Sequence, residues 1–257
     1  MDKPHCTELA PDMHDLKPHH SQGEHPAIAH GGQHPHANRF LEDGVTPKCR
    51  LIAWEVTRSC NLACKHCRAE AHPEPYEGEL STAEAKKLID SFKEVGDPII
   101  IFTGGDPMIR PDVYELAAYA KSKGLRCVMS PNGTLINEQN VLQIKEAGFA
   151  RCSISIDGHD AKSHDEFRGV QGAFEASMHG IELLKQHGIE FQINTTVTKT
   201  NLHTFKQIFE LCERIGAAAW HIFLLVPMGR AASLSSEVIT AEEYEEVLHW
   251  FYDFRKT

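Results

Sequence analysis

Beyond residue 48 the hydrophobic positions gather into six short, near-continuous runs, at 50–56, 98–102, 125–129, 151–156, 190–197 and 219–226. Runs this short and this apolar predict strands buried on both faces, as in a parallel sheet. Between them, apolar residues recur every three or four positions, which predicts amphipathic helices. Ser81-Thr82-Ala83-Glu84 is a capping box that opens a helix running through Val95. Pro111 opens the next, which runs through Lys123 with Gly124 as its stop. Further helices are predicted over 138–147, 174–186 and 204–215, followed by Gly148, Gly188 and Gly216. Thr240 caps a last amphipathic segment. Six strand–helix units predict an α/β fold with a parallel sheet; six units, not eight, predict an open, partial β/α barrel. Its site is expected at the C-terminal ends of the strands.

The first 48 residues break this pattern. Eight of the chain's 17 histidines precede Ala37, in a stretch rich in Pro and Gly. Such a composition predicts a disordered leader over 1–48, ahead of a folded domain over 49–257. A polar tail with adventitious metal affinity is the expectation; metal or haem capture is the alternative. The formal net charge of −10 argues against a bulk nucleic-acid binder. No apolar run approaches a membrane span. Without an apolar signal segment, a reducing, cytoplasmic compartment is expected. Cys127, Cys152 and Cys212 fall in apolar segments and read as small buried hydrophobes.

The chemistry gathers elsewhere. Cys60, Cys64 and Cys67 lie within eight residues, just past the first strand. Crowded soft thiolates suit zinc or an iron–sulfur cluster. A zinc site made of the three cysteines and His66 is the competing reading, but His66 stands between Cys64 and Cys67, poorly placed to join them on one tetrahedral ion. The second strand ends in Thr103-Gly104-Gly105-Asp106-Pro107, where glycines permit close backbone approach. The fourth ends in Ser153-Ile154-Ser155-Ile156-Asp157-Gly158, and alternation sets Ser153, Ser155 and Asp157 on one face. The fifth sets Gln192, Asn194 and Thr196 on one face. Asn132 follows the third. Arg68, Arg168 and Arg230 lie past strand ends, where a guanidinium fork suits carboxylates.

The Cys-x3-Cys-x2-Cys spacing resembles the signature of radical S-adenosylmethionine (SAM) enzymes. The resemblance covers Lys48 to Thr257. It implies a [4Fe–4S] cluster on Cys60, Cys64 and Cys67 whose free iron chelates SAM, and cleavage of SAM to a 5′-deoxyadenosyl radical. It implies that His66 lies beside the adenine, that the backbone of Gly104, Gly105 and Asp106 meets the SAM amino group, and that Ser155, Asp157, Asn194, Thr196 and Val226 contribute cofactor contacts. Many relatives carry a cysteine-rich C-terminal extension holding auxiliary clusters. None is present here, which leaves open a truncated form, a partial gene product or a minimal core.

Within the superfamily, residues 51–62, 155–158, 191–197 and 223–230 look like the haem b synthases of the sirohaem-dependent haem pathway. That implies oxidative decarboxylation of two propionates of iron-coproporphyrin III to vinyls, carboxylate contacts from Arg68, Arg168 and Arg230, and an electron donor such as a flavodoxin or ferredoxin. The alternatives are the sibling enzyme that removes acetates from didecarboxysirohaem, a peptide-modifying maturase, and a non-catalytic iron–sulfur or haem carrier.

Overall fold

The computed structural model describes residues 40–254. Most of the predicted leader, its histidines and Cys6 lie outside them. Of these, residues 40–239 belong to one compact unit. Within it, six parallel strands, β1 (Leu51–Thr57), β2 (Ile99–Gly104), β3 (Arg126–Met129), β4 (Cys152–Ser155), β5 (Phe191–Val197) and β6 (Trp220–Leu224), pair in the order of the chain, β1-β2-β3-β4-β5-β6. The first and last are unpaired with each other, so the sheet stays open. All six predicted strands and the partial barrel are present.

One face of the sheet packs on the helices: Ile100, Phe102, Met129, Cys152, Ile154 and Ile193 of the inner strands are fully buried in a single core, while Ile52, Trp54 and Trp220 of the edge strands are partly buried against it. These helices are α1 (Thr82–Phe92), α2 (Val113–Ser122), α3 (Asn140–Ala147), α4 (Ala161–Arg168), α5 (Ala173–Gln186), α6 (Lys199–Leu202) and α7 (Phe205–Ile215). Alternation along each strand turns the remaining side chains to the other face. That face is far more open, with Leu51, Ala53, Glu55, His221 and Phe223 exposed. Cys127, Cys152 and Cys212 are core residues, and burial pushes each thiol up to about 12. They are inert packing groups, not ligands.

The capping box at Ser81 and Glu84 is formed, and α1 gives way to a 3-10 turn at Lys93–Val95. Hydrophobic periodicity does not predict α4. Its buried residues are His164, Asp165 and Arg168, so its inward face is polar and its apolar stripe is missing. Local chemistry still marks its ends: Asp160 and Ser163 form a reciprocal cap, and Gly169 closes it at φ +69°. Asp165 then accepts from the backbone N–H groups of Gly172 (2.6 Å) and Phe174 (2.8 Å), which starts α5. Residues 240–254 belong to a second unit; its described helix, α8 (Ala241–Phe254), is capped by Thr240 and Glu243. Among the described residues no helix is long and apolar enough to cross a membrane.

Candidate functional site

The three-cysteine loop leaves the C-terminal end of β1 and is tied down from every side. Gly105 N–H donates to Thr57 O at 2.9 Å and Asp106 N–H to Ser59 O at 2.8 Å, so the end of β2 continues the ladder past β1. A Cβ on Gly104 would fall 1.9 Å from Thr57 O, and one on Gly105 would fall 2.2 Å from Ser59 O. Only glycine permits that approach. Cys60 N–H donates to His72 O at 2.9 Å, and Cys67 N–H closes a turn onto Cys64 O at 3.2 Å.

Cys60 and Cys64 are buried and Cys67 is half-buried; all three are free thiols. Burial, with Asp106 nearby, holds the Cys60 thiol at about 11. Leu62 N–H (3.4 Å) and the Asn132 amide (3.9 Å) both donate to its sulfur. At Cys64 the donor is a cation: Arg168 Nη1 lies 3.6 Å from the sulfur. The donor set fits a thiolate-ligated cluster, since the sulfurs of Cys60 and Cys64 already receive hydrogen bonds and, at Cys64, a positive charge.

Asp106 is fully buried, and burial raises its carboxyl to about 6 against the pull of two backbone N–H donors. Those donors are Met108 at 2.9 Å and Asn132 at 2.8 Å. Asn132 in turn donates to Asn61 Oδ1 at 2.8 Å, and Asn61 donates to Thr134 Oγ1 at 2.8 Å. A polar brace thus joins the ends of β2 and β3 to the cysteine loop. Asn61 was missed in the sequence because it sits in the motif as an unremarkable spacer.

The three arginines part ways. Arg168 is not open at the mouth: it is buried, and its guanidinium pairs with Asp157. Arg230 is likewise turned inward, its Nε donating to Cys64 O at 2.9 Å and its Nη1 to Ala71 O. Its own N–H donates to Cys67 O at 3.0 Å. Arg68 alone of the three keeps an exposed side chain, paired with Glu55.

Asp157, expected to face a cofactor, spends its carboxylate on Arg168 and on Thr196 N–H at 2.7 Å. Ser155 and Asn194 are cross-strand partners on β4 and β5, and Asn194 Oδ1 accepts from Gln192 at 3.0 Å. Val226 is exposed beyond β6. His66 packs its ring against Phe167 at 4.5 Å. Both border a cavity of about 190 Å³, together with Lys65, Thr198, Thr200 and Glu237. His66 Nδ1 is buried there with no hydrogen-bond partner from the chain, and Thr198 caps α6 with Asn201. Neither Phe167 nor Thr198 is marked by a sequence motif, and Phe167 stands on α4, which carries no apolar stripe.

His164 Nδ1 accepts from Asp157 N–H at 3.2 Å, and burial drives its imidazole down to about 4. An unfolded histidine titrates near 6.5. The unfolded chain therefore takes the proton first. Stability is complete above about pH 6.5 and is lost as pH falls towards 4, by up to about 1.4 kcal/mol per unit. Burial lowers His66 to about 4 as well. In urea unfolding from pH 7 to 5, His164→Gln is expected to lessen the acid loss of stability. A variant with the full slope would show that His164 is not its source.

The Radical SAM superfamily model matches residues 54–212. A protein of Oleidesulfovibrio alaskensis named AdoMet-dependent heme synthase is 72% identical over 95% of this chain and 64% of its own length. One of the same name from Nitratidesulfovibrio vulgaris is 74% identical over 88% of this chain and 62% of its own. An Fe-coproporphyrin III synthase of Methanosarcina barkeri is 38% identical over 83% and 52%. The chain thus spans less than two thirds of the length of these relatives. Among solved structures, Streptococcus suis SuiB bound to S-adenosylmethionine aligns with a TM-score of 0.63 at 14% identity, over 80% of this chain and 48% of that one. A fold of six parallel strand–helix units, three free thiols at the end of the first strand and a family match over most of the folded unit lead to one assignment: the chain belongs to the radical SAM superfamily.

Proposed function

We propose that this chain holds a [4Fe–4S] cluster on Cys60, Cys64 and Cys67, binds SAM to it, and oxidatively decarboxylates two propionates of iron-coproporphyrin III to vinyls, giving haem b. Superfamily membership implies SAM and an iron–sulfur cluster; the cluster type and the substrate are the proposal. The observation that carries the chemistry is the loop itself, with three free thiols, the sulfurs of Cys60 and Cys64 engaged by Asn132 and Arg168 and the carbonyls of Cys64 and Cys67 by Arg230. The substrate class rests on the two relatives above 70% identity that are named AdoMet-dependent heme synthase.

When bound, the cluster and SAM supply abstraction of a hydrogen atom from an unactivated carbon, after which carbon dioxide and one electron leave the propionate. The chain's residues position and shield. Gly104 and Gly105 let backbone approach the cofactor's amino group; Ser155, Asn194 and Thr196 offer polar contacts on one face. His66 and Phe167 line the space for a planar base. Arg68, with its guanidinium exposed beside Glu55, is the arginine we assign to a propionate; Arg168 and Arg230 brace the loop from inside. A one-electron donor such as a flavodoxin or ferredoxin completes the cycle.

The test is anaerobic incubation with SAM, dithionite and iron-coproporphyrin III, followed by mass analysis. The expected product has lost carbon dioxide and two hydrogens twice, with 5′-deoxyadenosine formed alongside. 5′-Deoxyadenosine with an unchanged porphyrin would refute the substrate. Turnover of didecarboxysirohaem instead would point to the sibling deacetylation. A loaded cluster with no SAM cleavage would make the chain a carrier.

A further inference from the structure

Arg168 and Asp157 form an ion pair inside the site, 7% and 1% exposed. The pair is held on both sides. Arg168 stands in the last turn of α4, and Asp157 Oδ1 accepts from Thr196 N–H at 2.7 Å. The Asp157 backbone is fixed by Asn201 Nδ2 on its carbonyl (3.0 Å) and by His164 Nδ1 on its N–H (3.2 Å). Burying two charges is expensive, and a pair of apolar residues would often serve stability as well. The geometry gives the charges another use. Arg168 Nη1 points at Cys64 Sγ from 3.6 Å, while the donors on Cys60 Sγ are neutral. Arg230, the other nearby cation, is directed at the Cys64 carbonyl and not at the sulfur.

We propose that Arg168 and Asp157 set the reduction potential of the cluster through Cys64, the guanidinium raising it and the carboxylate holding that rise in check. The inference rests on the cluster assignment above. A reduced cluster carries one more negative charge than an oxidised one. A buried cation hydrogen-bonded to a ligating sulfur favours the reduced state, and an adjacent anion opposes it. Neither charge is screened by solvent at this burial. Both are positioning residues here, acting on the cluster through a ligand.

The experiment uses the full chain, reconstituted anaerobically and without SAM. Iron and sulfide are counted first, and the midpoint potential is then read by redox titration followed by electron paramagnetic resonance, which sees only loaded clusters. Arg168→Gln is expected to shift the potential downward and Asp157→Asn upward, while Arg168→Lys stays near the original. A merely structural pair would lower the melting temperature in the first two variants without opposite shifts. Unchanged potentials, or shifts of the same sign, in variants with full iron and sulfide overturn the proposal. Should Arg168→Gln lose its cluster, the sign of the Asp157→Asn shift decides. An unmodified chain that binds no cluster overturns the cluster assignment itself, and this inference with it.

Discussion

A chain in which Cys60, Cys64 and Cys67 are all alanine is expected to emerge from anaerobic reconstitution with no bound iron or sulfide, and to form no 5′-deoxyadenosine from SAM. The loss should be complete, because in the proposed cluster each thiolate would serve a different iron and no other compact cysteine group exists among the described residues. Cys127, Cys152 and Cys212 cannot substitute: each is walled into the core on the helix side of the sheet. That same separation predicts that the fold survives. Cys60 and Cys64 belong to a small satellite cluster with Leu62, Ala71 and Ala173, apart from the main core. Cooperative thermal unfolding with zero iron is the expected pair of readings. Full iron and sulfide in the variant would remove the cysteines from the site.

Gly105→Ala is expected to cost about 1–3 kcal/mol of stability and to weaken cluster loading at the same time. The added Cβ would lie 2.2 Å from Ser59 O and 2.6 Å from Ser59 C, both backbone atoms that cannot rotate away. Two bonds depend on that approach, Gly105 N–H to Thr57 O and Asp106 N–H to Ser59 O. Ser59 immediately precedes Cys60, so pushing it outward moves the first ligand. Gly124→Ala is the control, since nothing lies within 4 Å of its Cβ and only its φ of +77° opposes the change. Urea unfolding and iron content on both variants check this. A Gly105 variant that loads fully and unfolds at the original midpoint would show that the close approach is dispensable.

The sheet was legible in the sequence because its strands are buried by apolar side chains, and periodicity reports apolar burial directly. The same logic hid α4. Its inward face is His164, Asp165 and Arg168, and hydrophobic patterning cannot see a helix held by charge and hydrogen bonds. The cysteine loop and the Gly-Gly turn were legible because each is local. What the arginines do was not. Arg168 and Arg230 were expected to reach outward to a carboxylate, yet they turn inward to Asp157 and to the carbonyls of Cys64 and Ala71. Sequence position set them near the strand ends but carried nothing about which partner, far away in the chain, would claim each fork.

Those partners have a consequence in time. Asn132 lies 72 residues after Cys60, Arg168 lies 104 after Cys64, and Arg230 lies 166 after it. During synthesis the cysteines emerge first and their holders last. Contacts of such separation form late, because closing a long loop loses chain entropy before any bond is gained. The thiols of a half-made chain are therefore expected to lack these holders until β6 and Arg230 have packed. Cluster loading is then expected to follow folding rather than to precede it, with a finished sheet rather than a nascent peptide as the acceptor.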